Sequence, residues 1–383
     1  MLQVFHNPFN PLKQFLNDMT SPQAHSMPKT QSSLKRILKI LLQVVIMVVI
    51  FAALLWYVGI GSLYEALLTI KVEYLALAFL MYFGINLLFT VRLRRVLSKD
   101  GVKTSFGKTL LAQYAGMLTS DVTPGRSGYI LTPVYLRDQN VPASKALSSI
   151  LGIQTIEFLA KVIGGVGAVI YLVTVVPTAT WNRLFPQTFA GINLGLIIAG
   201  LGIALMLTGA IILALFTWSK RAISVFDRIA KSRFLKRFTG GLIGKLEEYK
   251  ESSHSTRKAI PEISVLTLAC WILKGLEWYF LGLALGITSI PLLAYFLIHP
   301  LVTALAFVPI TPAGAGVQEF GIIGVLGLLG IATGPAGVFA LLARGLLIFE
   351  DLIGIPQIVK STSLIFTRKK PTDTILPPPA PPL

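Results

Sequence analysis

The sequence predicts an all-α polytopic membrane protein with about six full transmembrane helices and two broken, re-entrant helical hairpins in an inverted repeat. Three observations carry that reading. The 383 residues are 54% hydrophobic and only 13% charged, with a mean hydropathy of +0.72, whereas a typical soluble domain is about 25% charged. The apolar residues gather into runs of about 20 or more, the length that crosses a hydrocarbon core. One short motif occurs twice, as Thr123-Pro124-Gly125-Arg126-Ser127-Gly128 and Thr311-Pro312-Ala313-Gly314-Ala315-Gly316, and each copy interrupts such a run.

The uninterrupted runs are Ile37–Val58, Val72–Val91, Leu147–Val176, Gly191–Trp218, Ser264–Ile287 and Ala336–Val359. The first is longer than the apolar core of a secretory signal, so it is expected to be retained as a span. Two further regions, Thr104–Arg137 and Pro291–Gly330, are apolar but broken at Pro124 and Pro312. Proline lacks the amide proton and glycine the Cβ, so each T-P-x-x-x-G stops a helix. Inside a bilayer such a break survives only where protein or a water-filled cavity surrounds the released backbone groups.

Basic residues assign the sides. Most of the 34 lysines and arginines precede the first run, follow the second, lie between Lys220 and Lys258, or close the chain after Val359. The opposite loops hold Lys71 and Arg183, which places both termini in the cytoplasm of a cell-membrane protein. Thr104–Arg137 then enters and leaves from the cytoplasm, and Pro291–Gly330 from the other face. Units 72–176 and 264–359 become inverted copies separated by one unpaired span, the arrangement in which paired breaks mark a transport site.

The rest of the chain divides accordingly. Residues 1–33 form a polar cytoplasmic segment and 34–366 the membrane domain. Within 219–258, apolar residues recur every three to five positions among basic ones, as in a helix lying flat on the cytoplasmic interface. Residues 367–383 form a basic, proline-rich tail expected to be disordered.

The net charge of +17 follows from these membrane-flanking clusters and from attraction to anionic lipid, so nucleic acid is not an expected partner. Cys270 is the single cysteine, which excludes an intrachain disulfide. His6, His25, His254 and His299 show no metal-ligand spacing, and no nucleotide-binding motif occurs. No metal, cofactor or catalytic constellation is expected, and the composition points to a transporter rather than an enzyme.

Ionisable residues at membrane depth are costly and mark function by default. Glu157 and Lys161 stand at i, i+4, and Lys274 and Glu277 at i, i+3, so each pair shares a helix face. Glu157 lies 33 residues beyond Pro124 and Arg344 lies 32 beyond Pro312, near-equivalent places in the two units. Arg126 sits within the first break, and Glu319 follows the second. The chain looks able to resume a helix at Tyr129 and at Val317. A half-helix N-terminus beside Arg126 would favour an anion, whereas Glu319 would cap its helix or accept a proton. The candidate substrate-binding residues are therefore Thr123, Pro124, Gly125, Arg126, Gly128 and Glu157 from the first unit, with Thr311, Pro312, Gly314, Gly316, Glu319 and Arg344 from the second.

The first motif, and the stretch Pro309-Ile310-Thr311-Pro312-Ala313-Gly314-Ala315-Gly316-Val317-Gln318-Glu319-Phe320-Gly321, resemble the lysylphosphatidylglycerol synthase transmembrane region, a flippase-like membrane domain. The resemblance covers about Leu34 to Phe366. It implies a domain that moves or holds a lipid head group, the part that flips aminoacylated lipid in the bifunctional synthases. After Val359 the sequence shows only a short basic, proline-rich tail, so aminoacyl transfer is not expected of this chain. The family's first motif usually continues with glutamate, where this chain has Tyr129. That leaves Glu319 as the acidic member. The expected substrates are anionic membrane lipids or lipid-linked head groups. Two alternatives stand beside this: a non-transporting membrane partner of a cytoplasmic synthase or glycosyltransferase, and a lipid-modifying membrane enzyme.

Overall fold

Apolar runs become helices here because a bilayer offers backbone amides no partner outside their own segment. The computed structural model describes residues 45, 48–50, 52–123, 125–219, 249, 251–253, 256–307 and 311–367. The polar segment 1–33, nearly all of the 219–258 loop, and the tail beyond Thr367 lie outside the described residues.

The first expected span is described only in part. A helical stretch, Val48–Val58, bends by 77° into a second, Leu63–Thr69, with helix α1 assigned as Ile60–Thr69. Helix α2 then runs Val72–Lys99, two turns beyond the expected end at Val91. Arg92 therefore lies inside the helix and is 1% exposed, rather than in the cytoplasmic loop to which the charge pattern assigned it. A half-buried glutamate, Glu157, draws it inward, as described below.

Helix α3 (Phe106–Asp121) is the first leg of the first interrupted region. Its second leg is not one helix. It consists of the 3₁₀ turn Ser127–Leu131, a single α turn Thr132–Tyr135 and the 3₁₀ turn Arg137–Gln139. Pro133 explains the restart, since proline has no amide to continue the preceding turn but suits the first position of a new one.

Helices α4 (Ala143–Val175) and α5 (Leu194–Trp218) follow. Between them lie a short helix, Thr178–Leu184, and a two-stranded antiparallel ribbon pairing Thr188–Phe189 with Ile192–Asn193. The all-α expectation missed this ribbon. Its turn residues Ala190 and Gly191 have φ of 51° and 76°, as a tight hairpin turn requires. Asn193 closes it by accepting from the amide of Gly195 at 2.9 Å, which caps α5.

Helix α6 (Ile260–Ala284) precedes α7 (Leu292–Ala306) and α8 (Val317–Leu328), the two legs of the second interrupted region. The last expected span, Ala336–Val359, is divided into α9 (Thr333–Asp351), a 3₁₀ turn Leu352–Gly354, and α10 (Ile355–Thr367). Among the described residues, α2, α4, α5 and α6 are long and apolar enough to cross a membrane.

The centre of the bundle is the packing of α2 on α6, with α7 lying against both α4 and α6 and α9 against α8 and α3. Tyr82, Trp278, Tyr295, Ile298 and Phe339 fill its main apolar core. The outer faces of α4 and α5 instead expose Ile163, Ile170, Leu201 and Ile211. An apolar surface of this extent belongs against lipid.

Helix contacts this close depend on absent side chains, as in membrane bundles generally. At Gly354, an added Cβ would fall 2.3 Å from the amide nitrogen of Ala115 on α3. Gly354→Val is therefore expected to destabilise the protein by about 1–3 kcal/mol through overpacking. Gly345→Ala, whose Cβ would meet nothing within 4 Å, should be neutral. Thermal unfolding of both variants in detergent checks the difference.

Candidate functional site

The two copies of the motif adopt the same turn. Residues three and four of each are left-handed: φ is 58° and 54° at Gly125 and Arg126, and 48° and 68° at Ala313 and Gly314. In each, the amide of residue four donates to the carbonyl of residue one at 3.2 Å, Arg126 to Thr123 and Gly314 to Thr311. One position in each copy is not glycine, although this region of backbone space favours it. The turns also touch: the amide of Ala313 donates to the carbonyl of Thr123 at 2.9 Å. Pro124 lies outside the described residues.

The threonines finish the turns. The Thr123 hydroxyl donates to the Thr119 carbonyl at 3.0 Å and accepts from the Gly128 amide at 2.7 Å. The Thr311 hydroxyl donates to the Ala315 carbonyl at 2.8 Å. Gly128 admits no side chain, since its Cβ would lie 2.2 Å from the Thr119 carbonyl oxygen.

After the second break, α8 starts at Val317 as the sequence suggests. Its N-terminus is already occupied: the amide of Gly316 donates to Glu319 Oε2 at 2.7 Å. After the first break, the helix expected from Tyr129 does not form, and the short turns there provide no dipole. An anion at this centre would be held by side-chain charge instead.

That charge surrounds two adjoining cavities. The larger, of about 100 Å³, is lined by Arg92, Arg126, Glu157, Lys161, Lys274 and His299 among others. The smaller, of about 40 Å³, shares Arg126, Lys274 and His299 and adds Gln318, Glu319 and Arg344. Five cationic side chains and two carboxylates line the cavities, and Asp121 and Glu277 behind them hold Arg126 and Lys274. Each carboxylate is paired. Glu157 accepts from Arg92 at 3.0 Å and from Lys161 at 2.8 Å, and Glu319 accepts from Arg344 Nε at 2.6 Å. Arg344 also reaches Gln318 Oε1 at 3.1 Å and the Ala313 carbonyl at 3.4 Å, so it ties α9 to the second break. Lys274 is bound by Glu277 at 2.6 Å, as the spacing suggests, and lies 4.7 Å from the centre of the Tyr82 ring. Arg126 is the most loosely held, with Asp121 Oδ1 at 3.4 Å.

The candidate residues fall into two groups. Arg126, Glu157, Glu319 and Arg344 line the cavities, while Thr123, Gly125, Gly128, Thr311, Pro312, Gly314 and Gly316 shape the turns behind them. Sequence reasoning missed Arg92 and His299 as cavity residues, and it named Lys161 and Lys274 only as members of helix-face pairs. Arg92 was hidden among its loop neighbours Arg94 and Arg95. His299 has no metal-ligand spacing in the sequence to mark it; its ring stands edge-on to Trp278 at 4.9 Å and near the Thr303 hydroxyl at 3.3 Å. Asp121 and Asp351 were also missed, although the rule that singled out Glu157 applies equally to them. Among the described residues, no group of three or more His, Cys, Asp or Glu is placed to hold a metal ion.

Helices that cross a membrane around a buried, charge-lined centre, closed by two broken segments, define a polytopic membrane protein with an internal polar site. The chain belongs to the family described as the lysylphosphatidylglycerol synthase TM region, whose model matches residues 40–352. It is similar to a UPF0104 membrane protein of Pyrococcus horikoshii, 24% identical over 286 residues, 70% of this chain and 80% of that one. It is also similar to a UPF0104 membrane protein of Methanothermobacter thermautotrophicus, 23% identical over 312 residues, 76% of this chain and 84% of that one. No solved structure matches the chain.

The Glu319–Arg344 pair is buried, with side-chain exposures of 1% and 5%. Glu319→Gln leaves the guanidinium uncompensated, a change that typically costs about 3–5 kcal/mol. Its melting temperature in detergent should fall well below that of the wild type. Removing both charges together, as Glu319→Gln with Arg344→Met, should recover much of the loss.

Proposed function

We propose that the protein translocates a lipid or lipid-linked anionic head group through the centre where the two breaks meet. The observation that carries this is Arg126, which lines both cavities and whose ion pair with Asp121 is long, at 3.4 Å. In a low-dielectric interior a cation this loosely paired attracts an anion far more strongly than it would in water. The family's name and the basic residues flanking the membrane agree with a lipid substrate.

The transport geometry is an inverted repeat of units 72–176 and 264–359, with the first hairpin entering from the cytoplasm and the second from the opposite face. Contacts pair as such a repeat requires. Helix α4 of the first unit packs on α7 of the second, α9 of the second packs on α3 of the first, and α2 packs on its counterpart α6. The matching left-handed turns add to this. Rocking of one unit on the other about the touching breaks would expose the cavity to each side in turn. Both termini lie in the cytoplasm in this scheme.

Topology has a direct test, because the native Cys270 is buried. A cysteine introduced at Gly101 should react with an impermeant maleimide from the cytoplasmic side only. One at Ala190, in the ribbon, should react only from the opposite side. Labelling of both from one side removes the inverted arrangement.

Flux has its own measurement. Proteoliposomes carrying a fluorescent phosphatidylglycerol in phosphatidylcholine are expected to translocate it, and Arg126→Ala or Lys274→Ala should slow this about ten-fold or more. Lys99→Ala, which removes only an exposed partner of Glu262, should leave it unchanged. Equal rates in all four proteins would remove the site from the mechanism.

A further inference from the structure

Behind the cavities lies a second group of ionisable side chains. Asp121 ends α3, two residues before the first break, and Asp351 ends α9. They are 4% and 0% exposed, and the two carboxyl groups face one another in one buried cluster with Tyr82 and Arg126. Two carboxylates cannot share a hydrogen bond, since each offers only acceptors. A proton between them would supply the missing donor and remove the repulsion of two buried like charges.

The surrounding donors do not supply that hydrogen. Tyr82 Oη lies 3.2 and 3.1 Å from the two oxygens of Asp351 and can give its one proton to that side. Arg126 reaches Asp121 Oδ1. Asp121 Oδ2 is buried and accepts from no donor among the described residues. The other titratable groups around the pair are Arg344 and Glu350 on α9, Lys274 and Glu277 on α6, and Tyr114 on α3. Lys274, Glu277 and Arg344 are already engaged as described above.

We infer that Asp121 and Asp351 form a proton-binding site, holding one proton taken from water between their carboxyl oxygens. With it the pair carries one negative charge, which Arg126 balances; without it, two.

Both contacts of the pair also line the larger cavity: Tyr82 with its ring and Arg126 with its guanidinium. An anion drawn to Arg126 weakens the hold of that cation on Asp121, which makes the shared proton more favourable. Deprotonation pulls Arg126 back toward the pair and away from the anion. Proton and anion thus bind cooperatively, and by reciprocity anion affinity rises as pH falls. This coupling rests on the translocation reading above, whereas the proton site does not.

The proton site is tested without substrate. Infrared spectra of purified protein in an ester-free detergent at neutral pH should show the C=O stretch of a protonated buried carboxyl, shifted in D₂O. Asp121→Asn and Asp351→Asn should each abolish it, and Glu350→Gln and Glu277→Gln should retain it. No such band in the wild type overturns the site, and this holds even where a variant fails to fold. A band that survives both asparagine variants, or vanishes in Glu350→Gln alone, overturns it equally. Coupling is read from flux of fluorescent phosphatidylglycerol in phosphatidylcholine vesicles. Wild-type flux should be roughly five-fold or more faster at about pH 6 than at about pH 8, and Asp351→Asn should be flat. A flat wild type with the band pattern intact overturns the coupling alone. No flux at either pH, with the same bands, overturns the translocation reading.

Discussion

One backbone hydrogen bond, from the Ala313 amide to the Thr123 carbonyl, sits where the demands of the fold and of the site converge. A broken helix in a membrane leaves amides and carbonyls that lipid cannot satisfy. Here the first break gives a carbonyl and the second an amide, so each completes the other. Neither turn could stand at this depth against lipid alone. Their meeting fixes α3 and its turns against α8 and α9, and it brings side chains from both halves of the chain to one place.

The charges follow from that placement. Arg344 on α9 bonds Glu319 and also approaches the Ala313 carbonyl, so one guanidinium links a helix cap, a break and the cavity wall. Glu157 pairs with two cations at once, Arg92 through one oxygen and Lys161 through the other, and so gives the buried Arg92 on α2 a partner. Such networks are costly to assemble and costly to interrupt. Arg126 differs from the others: a left-handed turn, anchored by Thr123, aims it at the cavity, and its ionic partner among the described residues, Asp121, lies at 3.4 Å. A cation held this loosely is the one best able to exchange a protein carboxylate for a ligand.

Much of this was legible before any coordinates. The spans that are uniformly apolar, Gly191–Trp218 above all, came out within a few residues of α5, because hydropathy and helix length are set by the same bilayer. Glu157 with Lys161 and Lys274 with Glu277 were readable from spacing alone, since i, i+3 and i, i+4 neighbours share a face whatever the tertiary structure. Arg92 was not readable. Its sequence neighbours are loop-like, and only Glu157, 65 residues away, makes it a membrane residue. The second leg of the first hairpin was also misread, since Tyr129 can begin a helix locally but Pro133 forces a new turn.

The sequence by itself determined the membrane class of the protein, the family, the long apolar helices α2, α4, α5 and α6 and the two breaks, because each depends on composition or on neighbours within about a turn. Tertiary structure decided the rest. The contact between the breaks, the partners of Arg92 and Arg344, and the pairing of Asp121 with Asp351 all join residues far apart in the chain. Asp121 and Asp351 are separated by most of its length, and nothing local to either announces the other. Two buried carboxyls become a pair only when the helices that carry them are packed end to end.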